Sequence, residues 1–308
     1  MTRAALSSIY KVKKGQKDKG LDKQNKEKEF KYLKDLIDYN TKYSTRLLSD
    51  NELSRYNNIH CYQDNVVEVS TEHKLINASW IHVPLEKSFI CTQAPLRNTV
   101  DDFWQMCFEH NVNIIIMLCQ LREKGKEKCV EYWNLDKIKI VDSSIENNLE
   151  FNFEIEFTSE EINKDIIIRN CHVKNKRTNE VKDIKQIHYG GWPDHETPND
   201  IQTVFGNILF MFNIVDNVFH LREKNPNNIS PICIHCSAGV GRTGTFIALY
   251  NIYSKILSQL NNKNSKTICF SLMNLVRKLK EMRLYLVEND MQYNMIYQFI
   301  SKLLKDRN

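Results

Sequence analysis

The chain has 308 residues, 42% of them hydrophobic and 26% charged, with 43 Lys and Arg against 38 Asp and Glu. That apolar share is enough for a sizeable core and excludes a disordered chain, and no uninterrupted apolar run approaches the roughly 18 residues of a membrane span. The positive surplus sits in residues 1–31, with ten Lys/Arg against four Asp/Glu, so the nearly neutral remainder argues against a nucleic-acid-binding body.

Length alone suggests about two domains, but no Pro/Gly/Ser linker divides the chain, so one α/β domain is expected. The stretch from Tyr10 to Lys28 is Lys-rich and poor in apolar residues, which predicts a basic, disordered tail over 1–28 ahead of a domain over 29–308. From Glu29 the spacing of Phe30, Leu33, Leu36, Ile37 and Tyr43 predicts a helix. Thr99 is placed to cap a helix beginning Val-Asp-Asp-Phe, with Asp102 three residues on. The Ile run of 113–118 predicts a short buried strand. Glu123 to Lys128 taken alone is a solvated charged turn. Residues 151–157 alternate apolar and polar and predict a half-buried strand, as do 165–171 and 181–188. These imply antiparallel neighbours in a mixed, twisted sheet. Gly190 and Gly191 then permit a hinge before Trp192-Pro193-Asp194, and residues 199–222 predict an amphipathic helix.

The chemistry concentrates at Ile234-His235-Cys236-Ser237-Ala238-Gly239-Val240-Gly241-Arg242-Thr243-Gly244. An apolar β-prone run leads in and an apolar helical run leads out. Backbone N–H groups crowd at such a turn, and the helix N-terminus adds positive partial charge, so the turn is an anion site. The helix dipole and Arg242 both favour a thiolate at Cys236. Arg242 can grip two oxygens of a tetrahedral anion. A thiolate at the base of such a cradle implies nucleophilic attack on a phosphoester. Cys233-Ile-His-Cys236 also reads as a C-x-x-C redox or metal pair, but no second pair stands at zinc spacing.

The His235–Gly244 stretch resembles the signature loop of the tyrosine-specific protein phosphatases of the non-receptor type, and the resemblance runs from roughly Phe30 to Leu304. It implies a single-domain cysteine-phosphatase fold, with a twisted mixed sheet flanked by helices. It also implies hydrolysis of protein phosphotyrosine through a phosphocysteine intermediate. Cys236 would be the nucleophile, Arg242 the phosphate ligand and Asp194 the mobile general acid and base. Glu123 would hold the Arg242 guanidinium, and Lys128 would contact the acid loop. His235 would orient Cys236, and Thr243 would help the thiolate leave. Tyr56 would wall the phosphotyrosine cleft and Asn58 would hold substrate backbone. The backbone of Ser237, Ala238, Gly239, Val240 and Gly241 would line the phosphate cradle. No metal or other cofactor is implied. Phosphotyrosine-containing proteins are the expected partners, and a monomer is expected.

The match strains at four positions. Gln63 and Val66 stand where the family usually pairs an acidic with a basic residue, so a structural ion pair is expected to be lost. Tyr285 stands where the family normally has Gly, and would crowd the pocket mouth. Glu288 stands where it has the water-positioning Gln, while Gln292 matches a second family Gln. Glu288 would repel the phosphate, or imitate Gln when protonated, or act as a base toward water. The alternative function is therefore a catalytically impaired, substrate-trapping phosphotyrosine binder. Nine Cys, an odd number, and an N-terminus without an apolar core imply reduced thiols and a cytoplasmic setting, with the nucleus as a second address. Abundant Asn, Ile and Lys resemble the composition of the copies carried by insect bracoviruses, which would make the setting a host-cell cytoplasm.

Overall fold

Two short, largely apolar runs, Ile114–Met117 and Ile232–His235, lie side by side in the parallel centre of the main sheet. The computed structural model describes residues 10–13, 23–43, 47–48, 53–83, 87–141, 150–192, 200–223, 230–262 and 267–306. In chain order these form β1 (Tyr10–Lys13), α1 (Lys23–Tyr43), β2 (Val66–Glu68), β3 (Leu75–Val83) and β4 (Lys87–Thr92). A 3-10 turn (Arg97–Thr99) leads to α2 (Val100–Glu109), β5 (Ile114–Met117), β6 (Arg122–Glu123), β7 (Lys126–Glu127) and α3 (Leu135–Val141). Three long strands follow, β8 (Phe153–Asn163), β9 (Ile166–Asn175) and β10 (Val181–Tyr189), then α4 (Ile201–Glu223), β11 (Ile232–His235) and α5 (Gly241–Asn261). The chain closes with β12 (Thr267–Phe270), α6 (Leu272–Met282) and α7 (Asp290–Lys305).

The main sheet has the order β2-β3-β4-β11-β5-β10-β9-β8. The pairs β4–β11, β11–β5 and β5–β10 are parallel, and the flanking pairs are antiparallel. All four residues of β5 and of β11 are buried, because helices cover both faces of the parallel centre. The helices are tied together by rings. Phe212 of α4 lies 5.2 Å from Phe246 and 5.1 Å from Tyr250 of α5, and 6.1 Å from Phe299 of α7. The 18-residue window Ile201–Val218 of α4 is long and apolar enough to cross a membrane, with a mean hydropathy of 1.2. Its Val204, Phe205, Ile208, Met211, Phe212 and Val215 are buried in the core, which accounts for that apolarity.

Several expectations change. Within 1–28, Tyr10–Lys13 pairs antiparallel with β12 and α1 already begins at Lys23. A backbone ladder supplies the pairing that an apolar-poor sequence does not advertise. The remaining tail residues lie outside the described ones. Thr99 precedes α2 but does not cap it with its side chain. Its Oγ1 accepts from Leu96 N at 2.9 Å, and Asp102 holds His73 Nδ1 at 2.8 Å. The alternation of β8 predicts half burial, yet beyond Ile155 the strand is almost wholly exposed. It is an edge strand at the end of the order, paired on one side only.

Candidate active site

Cys236 stands where β11 stops, in the middle of the sheet, and α5 begins five residues later at Gly241. The turn between them is shaped by its carbonyls. Ser237 O accepts from Ala94 N at 2.9 Å. Ala238 O and Gly239 O accept from the Arg283 guanidinium at 3.1 and 3.0 Å. With these carbonyls drawn away to partners outside the loop, the planar trans peptides direct their N–H groups the opposite way. That is an anion cradle built from backbone. Gly239 has φ +69°, and a Cβ there would stand 2.1 Å from Thr92 O, so only glycine fits.

Arg283 is the residue that sequence reasoning missed. It is fully buried, and it also reaches Asn77 Oδ1 at 2.7 Å and Ser79 Oγ at 3.1 Å. Its charge is balanced by carbonyl and hydroxyl dipoles and sits directly beneath the cradle. An Arg within a helix-terminal sequence carries no signal for this; only the contact of α6 with β3 and the cradle creates the role.

Arg242 occupies the first turn of α5 and is 2% exposed. Glu123 of β6 grips it with both oxygens, at 2.6 Å to Nη1 and 3.0 Å to Nη2. Nη1 also donates to Trp192 O at 3.0 Å. Burial works to lower the guanidinium pKa, but the Glu123 hydrogen bonds and nearby negative groups outweigh it and raise the pKa. The cation is therefore permanent, and it is fixed in direction by a bidentate fork. Glu123 is itself fixed by Gln120 N at 3.0 Å. The charged turn expected from residues 123–128 is thus a β-hairpin, β6–β7, that delivers one carboxylate into the site.

The other predicted residues fall around this pair. Tyr56 Oη lies 2.8 Å from Ser237 Oγ, and Ser237 Oγ donates to Lys128 O at 2.9 Å. The half-buried Tyr56 ring is therefore tied to the cradle, and Asn58 is exposed at the rim. The Lys128 side chain is half-buried. Asp194 and Pro193, with the rest of 193–199, lie outside the described residues. The start of that loop is described. Trp192 is buried, and Gly190 is held between Gln120 Nε2, donating to its O at 3.1 Å, and Asp165 O, accepting from its N at 2.9 Å. Thr243 is fully buried in α5, and its Oγ1 has no hydrogen-bond partner among the described residues. His235 is fully buried and neutral, its pKa lowered to about 3 by burial.

Glu288 and Gln292 come together over the start of α5. A Cβ on Gly241 would meet Gln292 Nε2 at 2.7 Å and Glu288 Oε2 at 2.8 Å. Glu288 N donates to Gln292 Oε1 at 2.8 Å. Beneath them lies Lys280, 1% exposed, with Nζ donating to Val287 O at 2.7 Å. Burial lowers the Lys280 pKa to about 7, and the Glu288 charge opposes that fall. Tyr285 is half-buried and packs on Ile37, Tyr62 and Leu284, beside α1. Gln63 is exposed and Val66 opens β2. Cys233 is buried inside β11 and its thiol meets Cys107 rather than Cys236. No group of three or more His, Cys, Asp or Glu among the described residues is placed to hold a metal.

The chain is similar to known proteins in sequence and in fold. The family model for protein-tyrosine phosphatases matches residues 50–302. The human receptor-type tyrosine-protein phosphatase eta is 32% identical over 271 residues, 86% of this chain and 18% of that protein. The rat tyrosine-protein phosphatase non-receptor type 20 is 30% identical over 283 residues, 91% of this chain and 61% of the relative. The chain thus spans less than two thirds of the length of either. The crystal structure of the catalytic domain of human protein tyrosine phosphatase non-receptor type 18 superposes with a TM-score of 0.71 at 24% identity, covering 92% of this chain and 97% of that one. A further structure shows that phosphatase in complex with HER2-pY1196 phosphopeptides, again with a TM-score of 0.71 at 24% identity. With the family model spanning most of its length, the chain belongs to the protein-tyrosine phosphatase family.

Proposed function

We propose that this protein hydrolyses phosphotyrosine in other proteins through a phosphocysteine intermediate. The observation that carries the reading is the bidentate Glu123–Arg242 pair, which aims a permanent cation beside the Cys236 loop. Cys236 Sγ attacks phosphorus as the bond to the tyrosyl oxygen breaks, and Asp194 protonates the departing phenolate. Arg242 and the backbone N–H groups of 237–241 take up the charge on the other phosphate oxygens. Water then attacks phosphocysteine, Asp194 accepts its proton, and the Thr243 hydroxyl assists the leaving sulfur. These groups supply the positive field, so the reaction as proposed calls for no cofactor. Tyr56 forms the wall that accepts a flat ring, Asn58 meets substrate backbone, and Lys128 meets the acid loop. Every residue proposed for the reaction belongs to this one chain, which is consistent with a monomer acting on phosphotyrosine proteins. The non-receptor relatives support a cytoplasmic setting.

The trapping alternative rested on Tyr285 crowding the pocket mouth and, at Glu288, on repulsion of phosphate. Lys280 weakens the latter argument, because its buried ammonium supplies a counter-charge to Glu288. The reading is tested with an aryl phosphate and a phosphotyrosine peptide. Cys236→Ser should abolish turnover and retain peptide binding, since the cradle remains; unchanged turnover would refute the assignment. Asp194→Ala should slow phenol-like leaving groups by roughly 10²–10⁴ and leaving groups of low pKa far less; equal losses would remove Asp194 from the acid role.

A further inference from the structure

Behind the nucleophile loop, buried polar side chains connect Cys236 to Arg169 on β9, and their chemistry permits one arrangement of protons. Arg169 sets the direction, because a guanidinium donates and never accepts. It is buried, and it lies over the Trp133 ring at 4.2 Å from the centroid. Its Nη1 donates to Gln186 Oε1 at 2.8 Å. With Oε1 committed to the cation, the other end of the amide must face Tyr132, and Gln186 Nε2 donates to the phenol oxygen at 2.6 Å. The phenol hydrogen is then left for the remaining partner, His235 Nε2 at 2.9 Å. To receive it, Nε2 must be bare. A neutral imidazole with a bare Nε2 carries its proton on Nδ1, and Nδ1 lies 3.0 Å from Cys236 O.

The same guanidinium acts in a second direction. Arg169 Nη1 lies 3.3 Å from His188 Nδ1, which must also be bare, so the His188 proton sits on Nε2 and is donated to Cys119 O at 2.8 Å. Burial keeps His188 neutral, with a pKa lowered to about 4. One cation thus imposes opposite tautomers on two histidines. One histidine immediately precedes the nucleophile. The other opens the segment 188–192, whose last described carbonyl, Trp192 O, receives Arg242.

We propose that Arg169, acting through Gln186 and Tyr132, is a positioning residue that fixes His235 as its Nδ1–H tautomer and so turns the Cys236–Ser237 peptide, while pinning His188 at the root of the acid loop. The physical consequence follows from peptide planarity. Cys236 C=O is held toward the buried imidazole, so the Ser237 N–H points the opposite way, into the anion cradle. With the tautomer reversed, a bare Nδ1 would face the carbonyl oxygen. The two lone pairs would repel, and the peptide would lose the restraint that aims its N–H. The catalytic consequence rests on the phosphatase reading; the tautomers do not.

Gln186→Glu is the informative variant, because it reverses the chain's polarity. A carboxylate offers only acceptors, so it takes the Tyr132 hydrogen, and the phenol oxygen then accepts from His235 Nε2–H. Arg169 keeps a partner, so its packing on Trp133 is preserved. Side-chain 15N NMR of the whole chain should show His235 protonated on Nδ1 and His188 on Nε2. In Gln186→Glu the His235 proton should move to Nε2, with kcat/KM for an aryl phosphate down at least about tenfold and His188 unchanged. Gln186→Met, which removes the polarity without reversing it, should give mixed His235 tautomers and serves if the first variant does not fold. A parent His235 protonated on Nε2, or a Gln186→Glu variant with tautomer and kcat/KM unchanged, would overturn the inference. The stated tautomers in a parent without turnover would support the relay and refute the phosphatase reading.

Discussion

On the proposed mechanism, Glu288 is the single residue expected to set how well the second chemical step runs. Its carboxylate and Gln292 share the start of α5, and the buried Lys280, bonded to Val287 O, feels the Glu288 charge. Removing Lys280 should leave Glu288 facing phosphocysteine without the positive charge that this lysine contributes. Lys280→Met is therefore expected to show a burst of phenol near one equivalent per site followed by slow turnover. Adding Glu288→Gln should relieve much of that defect, since the charge that needed compensation is gone. The four proteins of this cycle, measured by stopped flow, give the coupling directly; purely additive effects would separate the two residues. The Lys280 pKa of about 7 adds a pH signature. As pH rises through 7 the ammonium is lost, so the dephosphorylation step should slow on the alkaline side in the parent and lose that limb in Glu288→Gln.

At the scale of elements, the loop that carries Cys236 depends on a turn that only one residue type can make. Gly239 needs φ +69° and faces Thr92 O too closely for any Cβ. Gly239→Ala should cost about 1–3 kcal/mol for the backbone conformation alone, and more for the clash with β4. Urea unfolding should show the lowered midpoint, and activity should fall with it as the cradle opens. A midpoint within error of the parent would mean that the loop has another conformation. The layer of helices makes a second element-scale test. Phe212 joins α4, α5 and α7 through four ring contacts, with Phe246, Tyr250, Tyr253 and Phe299. Phe212→Ala should cost about 3–5 kcal/mol while leaving the KM of the folded fraction near the parent's, because the ring touches none of the cradle.

For the whole molecule, the buried histidines give stability a predictable slope with pH. His235 and His188 have folded pKa values lowered to about 3 and about 4, from an ordinary 6.5. Below pH 6.5 the unfolded chain binds protons that the folded chain refuses, so stability falls as pH drops. Each histidine contributes a slope of about 1.4 kcal/mol per pH unit down to about pH 4, where His188 begins to titrate in the fold. Lys280 acts with the same sign in a higher window. Its folded pKa lies below its ordinary 10.5, so stability should rise between about pH 7 and 10.5. Chemical denaturation from pH 4 to 9 tests both windows, and His188→Gln should flatten the acid limb; an unchanged limb would show that His188 titrates normally.

What the sequence determined by itself was the local chemistry. A strand-prone run, a Gly-rich turn and a helix-prone run bring Cys236, Arg242 and the backbone donors within a dozen residues. Spacing therefore displayed Cys236 and Arg242 without any tertiary information. The long periodic segments, α1 and α4 among them, were legible for the same reason, since local burial periodicity sets them. Tertiary structure decided which distant groups meet that loop. Arg283 lies 44 residues from Gly239 in sequence and 3.0 Å from its carbonyl, and Glu123 is 119 residues from the arginine it grips. Nothing local in the sequence marks Lys280 for burial; the packing of α6 buries it. Nothing in the two expected strands singles out Arg169 or Gln186, because the direction of a hydrogen bond depends on what stands across the sheet. Donor and acceptor chemistry is written in each residue, but its pairing across the fold is not, and that pairing sets the charge and proton positions around Cys236.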